Sequence, residues 1–214
     1  INLELNITCF ISYFKEIENN IKIDIPKKII FDYGGPNIGK PLHVGHLRSL
    51  NIGRSIKELN KIVGNKVTTD IHLGDWGMPV AQIIAFCESK NINIESITAD
   101  KLIEIYPSSS ELYSNSEEFA KLAKEKNKKL NELDKETIEN WKHIREASIK
   151  SMKEILDTLN HEFDLWLGES SVNELIEPML KSLKKEGKVD FDDGALVSTQ
   201  NTDPKILITK SDGS

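Results

Sequence analysis

The chain has 214 residues, 34 acidic against 28 basic for a formal net charge of −6, and 38% hydrophobic content. That is enough apolar material for one core plus insertions, and the acidic balance argues against a protein held on nucleic acid by charge alone. Two cysteines, Cys9 and Cys87, with no Cys-x-x-Cys spacing and no histidine cluster, argue against a disulfide framework and a zinc site. Without a long apolar run or a secretory leader pattern at Ile1, the expectation is a cytoplasmic protein with no membrane contact.

In chain order, residues 1–6 alternate apolar and polar like a short strand. Thr8 then caps a helix with Phe10, Ile11, Phe14 and Ile17 on one face. Residues 1–25 are expected to be the rim of a preceding N-terminal domain. The apolar run from Lys28 to Tyr33 has strand length and ends in a Gly-Gly-Pro turn. Leu42 to Leu59 reads as a helix, Lys66 to His72 as a second strand, Gly74 to Gly77 as a break and Met78 to Glu88 as another helix. This alternation predicts an α/β fold over residues 26–90, a Rossmann-like doubly wound parallel sheet.

From Ser114 to Asn160 the sequence is charged and helical, with Trp141, Ile144, Met152, Ile155 and Leu159 spaced along one face and a solvated face opposite. Phe163 to Leu167 returns to strand character, and Asn173 to Lys185 to a helix that Gly187 ends. Val189 to Phe191 and Ala195 to Thr199 flank Asp192-Asp193-Gly194 as the arms of a hairpin. Residues 91–214 are thus expected to be a helical segment, a strand and a connective insertion. Ile1 is not a methionine and the sequence stops at Ser214 with no tail, so both ends are expected to be cuts in a longer chain.

The chemistry concentrates between Phe31 and Ser49, where a strand end passes through a glycine turn into a helix, the edge at which such sheets bind ligands. His43 and His46 are three residues apart. If the helix starts near Leu42, both project from its first turn beside unsatisfied backbone N–H groups, a place for phosphate oxygens. Gly45 between them leaves room for a flat base or ribose, and Lys40 adds a positive charge. With 5 histidines and 12 glycines, a His-x-Gly-His match arises by chance in about one such chain in a hundred.

His-x-Gly-His in this setting resembles the signature of class I aminoacyl-tRNA synthetases and of nucleotidylyltransferases that share the core. Pro36-Asn37, Lys40, His43-Val44-Gly45-His46 and Leu47-Arg48-Ser49 are similar to the arginyl-tRNA synthetase version, and His72-Leu73-Gly74-Asp75-Trp76-Gly77 is similar to that family's second-strand motif. The resemblance runs on through Trp141, Phe163-Asp164, Gly168-Glu169-Ser170 and Asp193-Gly194-Ala195. Departures are Gly34-Gly35 where small polar residues are usual, Pro79 in place of a glutamine, and Val172 in place of an aromatic.

The resemblance implies ATP-dependent activation of arginine and its transfer to tRNA(Arg), with Mg²⁺ accompanying ATP and a monomeric full-length enzyme. It assigns His43, His46 and Lys40 to catalysis, and Asn37, Gly39, Lys40, His43, Gly45 and His46 to ATP. Asp32, Gly35, Asn37 and His72 go to arginine, whose guanidinium fork a carboxylate matches. No protein-held metal is implied. Trp76 is either a wall of the substrate pocket or a core aromatic, and Asp75 is expected to cap the next helix. The family's later lysine loop, Lys-Met-Ser-Lys-Ser or a relative, is missing from these residues, as are the anticodon-binding helices. The 214 residues alone are therefore expected to be inactive. A nucleotidylyltransferase without tRNA and a non-catalytic module remain the alternatives, both disfavoured by the second motif or by the intact histidines.

Overall fold

A computed structural model of the chain describes residues 6–22, 25–200, 202 and 204–209; side chains of 18–20 are not included. The strand expected over residues 1–6 lies outside them except for Asn6. The chain divides into two compact units, residues 1–169 and 170–214.

The first unit begins with α1 (Ile7–Asn20), whose N-cap is Asn6, two residues before the expected Thr8: Asn6 Oδ1 accepts from the Thr8 backbone N–H at 2.9 Å. The strands β1 (Lys28–Asp32) and β2 (Lys66–Asp70) pair in parallel, joined by the helix α2 (Val44–Ile62). Beyond Asp70 the chain stays extended. On the side of β2 away from β1, the segment 163–168 runs parallel to it through bridges at Asp70–Leu165 and Leu73–Gly168. Asp164 fastens this third line, accepting from the Thr69 backbone N–H at 2.7 Å and from its hydroxyl at 2.9 Å. Those bonds hold the Asp164 carboxyl below the usual carboxylate range. The parallel α/β core expected from the sequence is therefore present, with residues 163–168 as part of the sheet rather than a separate element.

Helix α3 (Met78–Ser89) is buried on nearly every side, from Val80 through Cys87. Pro79 sits in its first turn, where a missing N–H costs nothing, so this departure from the family pattern is tolerated by position. Burial pushes the Cys87 thiol up to about 11, while Cys9 is exposed on α1. A helix not expected from the sequence, α4 (Ala99–Asn115), comes next, and the helical stretch expected from Ser114 to Asn160 is two helices, α5 (Glu117–Asn131) and α6 (Lys135–Thr158). Ser116 and Asp134 cap α5 and α6, accepting from the backbone N–H groups of Phe119 and Thr137. The core of the unit forms where Ile38, Leu73, Ile83 and Ile84 meet Leu102, Leu130, Ile144 and Met152. The cost of ordering α4–α6 is thus offset by burying one face of each against α3 and the sheet end.

In the second unit, α7 (Asn173–Lys185) ends at Gly187, which takes the left-handed conformation (φ 65°) that such a terminus favours. The strands β3 (Val189–Asp192), β4 (Ala195–Ser198) and β5 (Leu207–Thr209) form an antiparallel sheet in that order, with Asp193 and Gly194 both at positive φ in the β3–β4 turn. Lys210 to Ser214 lie outside the described residues.

Candidate active site

At the C-terminal ends of β1 and β2, the Gly34-Gly35 turn (φ 99° and 51°) reverses the chain, and the loop that follows folds back onto the continuation of β2. The Ile38 N–H donates to the Gly74 carbonyl at 3.1 Å and the Gly74 N–H to the Pro36 carbonyl at 3.0 Å, which fixes Asn37 between them. Asn37 Oδ1 lies so close over Gly74 that a Cβ there would meet it at 1.9 Å. Glycine at 74 is therefore a condition for the placement of Asn37.

Asp32 and Asp70 are register partners across the two strands, and so share one face of the sheet. Asp32 is exposed at the site, whereas Asp70 is buried, with Oδ1 accepting from the Leu167 N–H at 3.1 Å and Oδ2 lying 3.1 Å from His72 Nδ1. The structure thus brings Asp32, Asn37 and His72 to one sheet edge, with the Gly35 backbone beside the His72 carbonyl. Asp70 was not singled out in the sequence. Its position two residues before His72, on the same strand face, was the available signal.

The histidine pair is built differently from the arrangement expected. His43 is the N-cap of α2, and its Nδ1 accepts from the Gly45 N–H at 3.1 Å. His46 reaches back so that its Nδ1 accepts from the His43 N–H at 3.2 Å, a reciprocal capping box made of two imidazoles. The rings lie 4.1 Å apart. The Gly45 N–H is therefore satisfied by His43, and that of His46 by the His43 carbonyl at 2.9 Å, so neither is free as expected. Nor does a base or ribose find open backbone at Gly45: the His43 ring already fills the space, and a Cβ would meet its Cε1 at 2.7 Å. Both Nδ1 atoms accept from N–H groups, so each neutral ring carries its proton on Nε2 and presents a donor. Burial and the neighbouring His43 hold the His46 imidazole below its ordinary value.

Gly39 and Lys40 stand apart from this pair. The Gly39 N–H donates to Ser148 Oγ of α6 at 2.9 Å, and Gly39 itself (φ 75°) packs against Ile83. Lys40 Nζ lies 4.3 Å from the centre of the Tyr106 ring of α4, in a hollow shared with Leu102, Ser148 and Met152. His43 and His46 open instead onto an apolar hollow with Leu42, Leu47, Ile155 and Leu159.

Asp75 is not the cap of α3; that position is Gly77, which offers no side-chain bond. Asp75 is fully buried, and Arg145 Nε of α6 donates to its Oδ2 at 2.8 Å while the guanidinium also donates to the Trp166 carbonyl at 2.8 Å. Buried where it is, the Asp75 carboxylate is held by the guanidinium, because removing that cation would leave an uncompensated buried charge. Trp76 belongs to the core side of the site: it packs edge-on against Trp141 at 5.4 Å and donates from Nε1 to Asn131 Oδ1 at 3.0 Å. Among the described residues no group of three or more His, Cys, Asp or Glu is placed to hold a metal ion, and no helix is long and apolar enough to cross a membrane.

Residues 12–214 match the family described as tRNA synthetases class I (R), catalytic domain. The arginine--tRNA ligase of Alkaliphilus oremlandii (strain OhILAs) is 34% identical over 239 aligned residues, covering 100% of this chain and 41% of its own length. The arginine--tRNA ligase of Francisella tularensis subsp. novicida (strain U112) is 32% identical, covering 92% of this chain and 36% of its own. Among solved structures, the arginyl-tRNA synthetase from Plasmodium falciparum superimposes with a TM-score of 0.76 at 25% identity, over 99% of this chain and 39% of that one. The Thermus thermophilus arginyl-tRNA synthetase shares the fold, with a TM-score of 0.62 at 21% identity over 94% of this chain and 36% of its own. The chain spans about two fifths of the length of the curated relatives it matches. A parallel sheet edge carrying Asp32, Asn37 and His72, a histidine-capped α2 and a family match over residues 12–214 lead to one conclusion: the chain belongs to the class I tRNA synthetase (R) catalytic-domain family.

Proposed function

We propose that the protein carrying these residues is an arginine--tRNA ligase. In this reading residues 26–90 are the first half of its ATP-binding module, residues 91–214 the helical and connective part, and residues 1–25 the rim of a preceding domain. The observation that carries the reading is the convergence of Asp32, Asn37 and His72 at the ends of β1 and β2, one loop away from two imidazoles that present Nε2–H donors. The first set suits a cationic amino acid and the second suits phosphate oxygens.

The arginine carboxylate attacks the α-phosphorus of ATP, and the bond to the bridging oxygen breaks with release of pyrophosphate. The arginyl group then passes from the adenylate to a hydroxyl of the terminal ribose of tRNA(Arg), releasing AMP. No protein nucleophile enters. Asp32 and Asn37 position arginine, and His43 and His46 donate from Nε2 to phosphate oxygens as charge develops. Gly39 shapes the loop, and Lys40 contributes its charge once it leaves the Tyr106 ring. Mg²⁺ comes with the ATP phosphates and shares their charge. The enzyme is cytoplasmic and monomeric, and the 214 residues alone do not charge tRNA.

Charging of tRNA(Arg) with labelled arginine by the full-length protein tests the proposal. Formation of arginyl-tRNA that depends on ATP supports it, and a protein that charges no tRNA with arginine would sink it.

A further inference from the structure

We propose that Asp70 is a positioning residue that holds His72 in the one tautomer able to accept a hydrogen bond from a cationic amino acid. The inference rests on the reading of this site as the arginine subsite and adds a residue and a protonation state to it.

Asp70 is 5% exposed, and both of its oxygens are engaged: Oδ1 by the Leu167 N–H, Oδ2 by His72 Nδ1 at 3.1 Å. An ionised carboxylate only accepts, so His72 Nδ1 carries the proton and donates it. The opposite ring nitrogen, Nε2, then keeps its lone pair. His72 makes no other hydrogen bond within the described residues, and its side chain is 34% exposed, so the lone pair is available to a ligand.

The chemistry of arginine makes this choice of tautomer matter. A guanidinium has five N–H donors and no acceptor, and an ammonium has three donors and none. A histidine with Nε2–H would set donor against donor. With Nδ1–H anchored on Asp70, the same ring offers an acceptor, beside the exposed carboxylate of Asp32 on the same sheet face. The site thereby splits its histidines into two chemical kinds. His43 and His46 have Nδ1 occupied by backbone N–H groups and present donors, as an anion needs; His72 has Nδ1 occupied by a carboxylate and presents an acceptor, as a cation needs. The strand pairing supplies the rigidity, because Asp70 sits between β1 and the segment 163–168 and is fixed from both sides.

Asp70→Asn is the informative substitution. The Leu167 N–H still requires an oxygen, so the amide oxygen takes that position and the NH₂ turns to His72 Nδ1. That NH₂ can only donate. It forces the proton to Nε2 and converts the acceptor into a donor without removing either side chain.

The experiment uses the full-length protein. Long-range ¹⁵N–¹H spectra of histidine-labelled protein, with the His72 signals assigned by their loss in His72→Gln, read the tautomer directly. The expected result is an Nδ1–H ring for His72 and Nε2–H rings for His43 and His46. Arginine-dependent ATP–pyrophosphate exchange is then measured for Asp70→Asn, alone and in a His72→Ala background. In the single variant the KM for arginine rises about tenfold or more, as loss of an orienting partner typically does, while kcat changes by less than about threefold. In the His72→Ala background Asp70→Asn adds nothing further. An Nε2–H His72 in the unsubstituted protein, an unchanged KM in Asp70→Asn, or an equal loss with and without His72 would each overturn the assignment. If Asp70→Asn fails to fold, the spectrum of the unsubstituted protein still decides. Absence of arginine-dependent exchange by the unsubstituted protein would overturn the ligase reading instead, and exchange that persists with an Nε2–H His72 would overturn the role of Asp70 alone.

Discussion

Replacing Arg145 with methionine should open the sheet edge that carries the site. Asp75 lies at the end of the β2 extension with none of its surface exposed, and Arg145 Nε holds its Oδ2 at 2.8 Å. The same guanidinium donates to the Trp166 carbonyl at 2.8 Å, so one side chain from α6 ties the β2 extension to the segment 163–168. Methionine keeps the volume and removes both attachments, leaving a buried carboxylate without its cation. Breaking one side of a buried pair costs about 3–5 kcal/mol, and because the Arg145 side chain is 23% exposed, water can enter and the lower end, about 3 kcal/mol, applies. That is a factor of about 100 in a local opening equilibrium. Hydrogen exchange followed by mass spectrometry on peptides covering residues 66–75 and 141–168 reads it directly. Protection there should fall by about two orders of magnitude, with Arg145→Lys intermediate because the ammonium keeps the charge and loses the fork. The double variant Arg145→Met/Asp75→Asn should lose less than the two single losses combined. Protection in these peptides within threefold of the unsubstituted protein would refute the idea that this pair staples the site.

Three further outcomes follow from local geometry. Gly45→Ala drives a Cβ against the His43 ring that caps α2, so a helix-propensity gain of at most about 1 kcal/mol is offset by the displaced cap: thermal stability should hold while ATP–pyrophosphate exchange falls about tenfold or more. His161 is buried, with neither ring nitrogen hydrogen-bonded to protein, and burial followed by the nearby Arg54 and Lys57 lowers its pKa. His161→Leu should therefore stabilise the fold by about 1 kcal/mol at pH 7. A histidine pKa that is lower folded than unfolded makes the folded state lose stability as pH falls below its ordinary value near 6.5, so the advantage should grow in urea melts at pH 5. Asp164 shows the opposite side of the same linkage. Its depressed carboxyl contributes stability above the ordinary carboxylate range that is lost as pH falls through the folded value, worth about 1 kcal/mol for an exposed group. Asp164→Asn should be less stable at pH 7 and match the unsubstituted protein near pH 2.

Local chemistry made some of the fold legible in the sequence and not the rest. The helix over Asn173–Lys185 and the strand beginning at Lys28 agree with expectation because their periodicity and stop signals are local. Helix α4 lies ahead of the helical stretch placed from Ser114: Pro107 and Ser108-Ser109-Ser110 are poor helix formers, yet the helix runs through them because Leu102 and Ile105 bury against α3 and override propensity. The break at residues 132–134 inside the long helical stretch was hidden as well, since Leu133 takes a positive φ (58°) that no sequence signal announces for leucine. At the site, the His-x-Gly-His spacing pointed to the histidine pair, while Asp32, Asn37 and His72 came from the family resemblance. Neither could say that His43 and His46 cap each other, that Lys40 rests on Tyr106, or that Asp75 meets Arg145; the last two pairs lie on elements brought together only by the tertiary fold.

The most direct test of the central claim is ATP–pyrophosphate exchange by the full-length protein, with tRNA present and each of the twenty amino acids supplied in turn. The expected result is exchange with arginine and with no other amino acid. Exchange with a different amino acid would keep the chemistry and overturn the reading of Asp32, Asn37 and His72, and no exchange with any would contradict the function proposed for the site.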